Sequence, residues 1–230
     1  MRILAVDTSL RAGSIALWED DRLVADVDLP AGQSTTQSLA PTIAAQLTAA
    51  AWNPRQLDLI AVSQGPGSFT GLRVGVTTAK MIAYVAGAEV MGINTLEAIA
   101  WQAATAWTGA DADRPVWALL DAQRRQLFAA CFRLRGAQLP ETVCPTAIVT
   151  PASWLAQITE PVAVTGPGVT LLARSPSKGN VFVVDQSVWA PRASSVGQLA
   201  WLHYQAGRRD DVWTLSPRYY RPSAAEEKRR

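Results

Sequence analysis

Arg2-Ile3-Leu4-Ala5-Val6-Asp7, a short β-rich run closed by an acid, is answered by Val116-Trp117-Ala118-Leu119-Leu120-Asp121, with Asp121 lying 114 residues after Asp7. In both places the acid opens a polar turn and the chain comes back as a second strand-like run. The first return alternates over residues 14–18, and the second runs over 127–134 after a turn that contains Arg124 and Arg125. Phe128 lies 114 residues after Ser14, so the spacing is kept into the returning strand. Residues 22–29 alternate again, which extends the first sheet antiparallel until Pro30 and Gly32 break it. A second echo follows in the same order. Residues 60–63 lead into Gly65-Pro66-Gly67, and residues 162–165 lead into Gly166-Pro167-Gly168, an offset of 101. Either match alone is common punctuation, but two in one order point to an internal duplication.

Helical spacing fills the gaps between these strands. Leu39, Ile43, Leu47 and Ala51 mark one helix face, with Thr36 and Ser38 as capping candidates and Pro41 expected in the first turn. A second helix is predicted over 69–85, with Ser68 as N-cap and Gly87 closing it. A third starts at Thr95, with Glu97 in its first turn, and ends near Trp107. Residues 109–114 read as a linker, a last helix spans 194–207, and residues 212–220 lead to an exposed tail. Two β-β-β-α-β-α copies describe an α/β protein with the duplicated actin-like ATPase fold of sugar kinases and Hsp70-type proteins. The expected division is an N-terminal lobe over 1–110, a C-terminal lobe over 111–216 and a tail over 217–230, each lobe having a mixed sheet and flanking helices.

Composition excludes several functions. The chain has 230 residues, 49% of them hydrophobic and 17% charged, which suits a packed globule rather than disorder. Its net charge is +2, from 21 basic and 19 acidic residues, so no phosphate-binding footprint stands out and tight direct RNA binding is not expected. Lys228, Arg229 and Arg230 read as a solvated terminus. No run of ~20 apolar residues predicts a membrane span, and the N-terminus resembles neither a secretory signal nor an anchor. Cys131 and Cys144 make no disulfide framework, and a reducing cytosol suits them. His203 is the single histidine, which removes any two-histidine metal site; metallopeptidase chemistry is excluded and no metal or cofactor is expected. No Gly-x-Ser-x-Gly elbow is present, so His203 reads as a packed helix residue rather than a hydrolase base. The nine tryptophans read as packing groups.

The most specific stretch runs from Gly65 to Gly75. It departs from a dinucleotide loop at Thr70, and from a Walker loop at Gly71-Leu72-Arg73. Gly65, Pro66, Gly67, Gly71 and Gly75 therefore read as a tight strand-to-helix turn. The helix that follows has one apolar stripe of Leu72, Val76, Ala79, Ala83 and Ala86, and a second of Val74, Thr77, Thr78, Met81 and Val85. One stripe meets the protein's own sheet. The other is open to two readings, burial within the monomer or contact with a partner helix, for which Arg73 offers a cation to a carboxylate. Asp7 and Thr8 are likewise open to two readings, nucleotide contact as in an active ATPase of this architecture or simple turn formation. On the first reading the chain is itself an actin-fold small-molecule kinase or ATPase.

A resemblance narrows these readings. Met1-Arg2-Ile3-Leu4-Ala5-Val6-Asp7-Thr8-Ser9, Gly65-Pro66-Gly67-Ser68-Phe69-Thr70-Gly71-Leu72-Arg73-Val74-Gly75, Gly92-Ile93-Asn94-Thr95-Leu96 and Asp121-Ala122-Gln123-Arg124 resemble the TsaB (YeaZ) family. The likeness weakens after Gly136 and returns at Pro217-Arg218-Tyr219-Tyr220-Arg221. It implies a non-catalytic subunit of the machinery that places threonylcarbamoyl on N6 of adenosine 37 in tRNAs reading codons that start with A. It also implies pairing with a catalytic paralogue, TsaD, recruitment of the ATPase TsaE, homodimerisation when isolated, and contact with tRNA only through the complex. Phe69, Thr70, Leu72, Arg73, Val76, Thr77, Met81 and Val85 are the expected interface. The paralogue holds its metal with paired histidines, which this chain lacks. Thr35 stands where relatives often have histidine.

Overall fold

Strand β1 (Arg2–Asp7) is buried along nearly its whole length, as a strand covered on both faces must be, and it forms the centre of the first sheet. Around it lie β2 (Ser14–Glu19), β3 (Arg22–Asp28), β4 (Leu59–Gly65) and β5 (Glu89–Asn94), in the order β3-β2-β1-β4-β5. β2 and β3 join antiparallel as a meander, whereas β4 and β5 run parallel to β1. Parallel neighbours need crossovers. These are α1 (Thr35–Ala49), between β3 and β4, and α2 (Phe69–Ala86), between β4 and β5. The computed structural model describes residues 1–105, 115–136, 138–174 and 179–221. The expected linker at 109–114 and the tail residues 222–230, with Lys228, Arg229 and Arg230, lie outside these.

The second sheet repeats the first. Its strands β6 (Val116–Asp121), β7 (Leu127–Arg133), β8 (Glu141–Val149), β9 (Val162–Thr165) and β10 (Val181–Val183) are ordered β10-β9-β6-β7-β8. Counted from the antiparallel edge, each sheet reads third, second, first, fourth, fifth, and the parallel and antiparallel partners also correspond. This is the duplicated actin-like fold. Three strands were not legible in the sequence: β10 is only three residues long, β8 carries Pro145 in its middle, and β5 has Gly92 within it and Gly87 just ahead of it. The crossovers of the second sheet are also slighter, α3 (Thr95–Thr105) being followed there by the short α4 (Pro151–Gln157) and a 3-10 segment (Pro167–Arg174).

Register refines the two sequence echoes. Asp7 pairs with Ser14 but Asp121 pairs with Leu127, so the second hairpin turn is one residue shorter and Leu127, rather than Phe128, corresponds to Ser14. The Gly-Pro-Gly turns differ more. Val6 lies opposite Val62, which carries Gly65 two residues past the level of Asp7. Ala118 lies opposite Thr165, which leaves Gly166 two residues short of the level of Asp121. The motif is the same, but its place against the central strand is not.

One of the two compact units is discontinuous in sequence. It comprises Met1–Thr95 with the described residues from Arg192 onward, and the other Leu96–Pro191. This differs from the division expected at 110 and 216, because α5 (Ala193–Gln205) packs on β1 and β2. Arg192, at its N-cap, sets Nε 3.0 Å from Asp26 and Nη1 3.1 Å from Asp28 on β3. The Ala193 amide donates to Ser14 Oγ on β2. Trp18 lies across Gly197, where a Cβ would come within 2.6 Å of its indole nitrogen. The first core combines Leu4, Val6, Ile60 and Val62 with Leu39 and Ile43 of α1 and Val76 and Ala79 of α2; the second centres on Leu119, Trp154 and Val164. Helix α1 starts earlier than expected, capped by Ser34 and Gln37 rather than by Thr36 or Ser38, so Pro41 falls inside it and not in its first turn.

Candidate functional site

The end of β1 and the start of α2 form one buried assembly. Asp7, Thr8 and Ser9 are fully buried. Asp7 Oδ1 accepts hydrogen bonds from Ser63 Oγ of β4, from Ser9 Oγ and from the Ser9 amide, while Oδ2 has no hydrogen-bond partner among the described residues. Burial raises the pKa of this carboxyl above the ordinary aspartate value, and the bonds from Ser63 and Ser9 only partly oppose it. Thr8 Oγ1 donates to the carbonyl of Gly71 at 2.8 Å.

Three glycines of the Gly65 to Gly75 block make room for this contact. A Cβ at Gly71 would stand 2.0 Å from the Thr8 carbonyl oxygen, one at Gly75 2.2 Å from Thr8 Oγ1, and one at Gly67 2.4 Å from the Ser9 carbonyl oxygen. Helix α2 thus seats its first turns directly on the Asp7 turn. Gly65 has φ +127, outside the reach of other residues, and its peptide to Pro66 is cis. Ser68 Oγ caps the helix by accepting from the Gly71 amide, and Gly87, left-handed at φ 70, ends it.

The two stripes of α2 separate cleanly. Leu72 and Val76, expected at an interface, are 1% and 2% exposed and face the core, because the glycines beside them draw that side against the sheet. Thr70, Arg73 and Thr77 are exposed and Phe69 is half-buried. Met81 is 61% exposed, Tyr84 66% and Val85 68%. Arg73 and Lys80 are the charged residues of the helix, which has no carboxylate.

A strap from the C-terminal segment lies along this helix, and its role there was missing from the sequence reading. Lys80 Nζ donates to the carbonyls of Trp213 and Leu215 at 3.2 and 2.9 Å. Gln64 Nε2 donates to the Ser216 carbonyl, and the Arg218 amide donates back to the Gln64 carbonyl. Phe69 stacks on Tyr219 with ring centroids 4.6 Å apart, Arg73 lies 4.1 Å over the Phe69 ring, and Arg73 Nε donates to Tyr219 Oη. Tyr84 meets Trp213 edge-on at 5.4 Å, and Trp213 is 72% exposed. Upstream, Arg208 and Asp210 bind the carbonyl and amide of Gly92 on the edge strand β5. The return of the family-like residues at Pro217 to Arg221 was the available signal.

Among the described residues no group of three or more His, Cys, Asp or Glu side chains is placed to hold a metal, and no helix is long and apolar enough to cross a membrane. Fold and site together define a duplicated actin-like protein whose first hairpin turn is sealed by its own helix and whose sealing helix presents an apolar outer face.

A family model described as TsaD, tRNA N6-adenosine threonylcarbamoyltransferase, matches residues 30–184. The tRNA threonylcarbamoyladenosine biosynthesis protein TsaB of Bacillus subtilis strain 168 is 30% identical over 236 residues, 99% of this chain and 97% of that protein. The protein of the same name from Escherichia coli K12 is 35% identical over 130 residues, 56% of this chain and 54% of its own. Among solved structures, YeaZ from Pseudomonas aeruginosa aligns with a TM-score of 0.81 at 23% identity, over 95% of this chain and 99% of that one, a likeness of fold. The chain belongs to the TsaB (YeaZ) family.

Proposed function

We propose that this chain serves the biosynthesis of threonylcarbamoyladenosine in tRNA as a non-catalytic subunit, pairing through the outer face of α2 with a TsaD-like catalytic paralogue. The TsaE-like ATPase joins that pair, tRNA meets the chain only within the complex, the chain works in the cytoplasm, and a homodimer forms when it is alone. Family membership supports the pathway. The observation that carries the scaffold role is the exposure of Met81, Tyr84 and Val85 on an ordered, well-capped helix, since large apolar side chains clustered on a surface mark interaction sites. Thr70, Arg73 and Thr77 extend the same face. Leu72 and Val76 support it from within. The burial of Asp7 and Thr8 under α2 speaks against the rival kinase or ATPase reading, in which they would touch nucleotide.

Met81→Asp with Val85→Asp tests the interface. The doubly substituted chain is expected to stay folded, because both side chains point to solvent, and to lose association with a TsaD-like partner and with itself in sizing chromatography with light scattering. Unchanged association with both would refute the interface. The enzyme reading is tested by titrating the isolated chain with Mg-ATP. Binding tighter than about 10 μM, roughly −7 kcal/mol, with turnover that Asp7→Ala abolishes, would replace the scaffold role by catalysis.

A further inference from the structure

Strands β7 and β8 run antiparallel, and their register sets Cys131 directly opposite Cys144. The ladder shifts on both sides of Cys131, and Pro145, beside Cys144, has no amide hydrogen to give it. β8 is the edge of its sheet, where a strand tolerates a proline. Facing residues of an antiparallel pair keep their Cα atoms roughly 4.5–5.5 Å apart, and a disulfide spans Cα separations of roughly 4.4–6.8 Å. A bond between these two residues therefore asks for little movement of either strand. Both cysteines are free. Cys131 is buried, whereas Cys144 is partly open to solvent.

We propose that Cys131 and Cys144 form a reversible redox pair, closing to a cross-strand disulfide when the protein meets a low-molecular-weight disulfide such as oxidised glutathione. The partly open thiol reacts first. Cys144 gives up its proton, its sulfur attacks one sulfur of the oxidant, and one glutathione thiolate leaves and takes a proton. Cys131 then gives up its proton and attacks Sγ of Cys144, which releases the second glutathione as a thiol. The pair loses two protons and two electrons, and the oxidant becomes two thiols. Burial pushes the Cys131 thiol up to about 12, with Cys144 adding to the rise and Arg133 opposing it, so the second step is the slow one. The bond would fasten the edge strand to its neighbour on one side of the turn that joins them. It is a site of modification on the second unit, independent of the α2 face.

The test uses the full chain, fully reduced and then incubated with oxidised glutathione, acid-quenched, alkylated with iodoacetamide in denaturant and weighed by mass spectrometry. The expected product is lighter than the reduced chain by two hydrogen atoms, takes up no iodoacetamide, yields a peptide pair joined through Cys131 and Cys144, and reverts with a thiol reductant. Cys131→Ser is expected to stop at a glutathione adduct on Cys144, and Cys144→Ser to leave Cys131 unmodified. A wild-type chain that halts at the adduct, links to a second chain through Cys144, or remains fully alkylatable overturns the proposal.

Discussion

At Gly71 an added methyl would meet the Thr8 carbonyl oxygen at 2.0 Å, a backbone atom that cannot swing aside. Gly71→Ala is therefore expected to lower stability by about 3 kcal/mol, read from urea denaturation, because overpacking a close contact costs roughly 1–3 kcal/mol. Gly87→Ala is the useful contrast: among the described residues nothing beyond its own chain neighbours lies within 4 Å of its Cβ and only the left-handed φ opposes the change, so its loss should be smaller, near 1 kcal/mol. Asp7 carries a pH dependence. Its folded pKa is raised, so the folded state holds the proton more tightly than the unfolded chain does, and this contribution to stability is complete below the unfolded pKa and lost as pH rises through the folded one. Stability of the wild type measured against Asp7→Asn should thus fall as pH rises from below 4. A difference that stays flat or rises would mean that Asp7 remains charged in the folded protein. The glycine spacing of this block was legible in the sequence as a tight turn. That its glycines seat a helix on Thr8 and Ser9 was not, because the contact joins segments some sixty residues apart.

On α2 the sequence showed two apolar stripes but could not rank them, since hydrophobic periodicity locates a face without naming what covers it. The structure assigns Leu72, Val76, Ala79 and Ala83 to the core and leaves Met81, Tyr84 and Val85 outside. The strap along α2 was illegible for a related reason: it has no regular secondary structure and is held by Lys80 and Gln64 on its backbone carbonyls, which any residue supplies. Lys80→Ala removes both of its bonds to the strap. It should cost about 1–2 kcal/mol and, more tellingly, speed hydrogen exchange around Trp213 and Leu215 while leaving the β1 and β4 amides protected. Equal exchange in both proteins would mean that Phe69, Arg73 and Tyr219 hold the strap without it.

The repeat of strand, acid, turn and strand was enough to read two like sheets, and their order agrees strand for strand. Lobe boundaries were harder, because a polar linker is a local signal whereas packing is not. The last helix belongs with the first sheet, where Val196, Leu199 and Ala200 are fully buried. A chain ended before Arg192 should lose the cooperative unfolding of the whole first unit, seen as lost hydrogen-exchange protection of the β1, β2 and β4 amides, rather than merely shed a helix. Retained cooperativity would show that α5 is an accessory. During translation, this closing piece emerges after residues 96–191 have been made, on the order of ten seconds at common elongation rates. Throughout that interval the nascent first sheet lacks its cover, so a trigger-type chaperone or a slowed ribosome would matter most to this protein while its second half is still being synthesised.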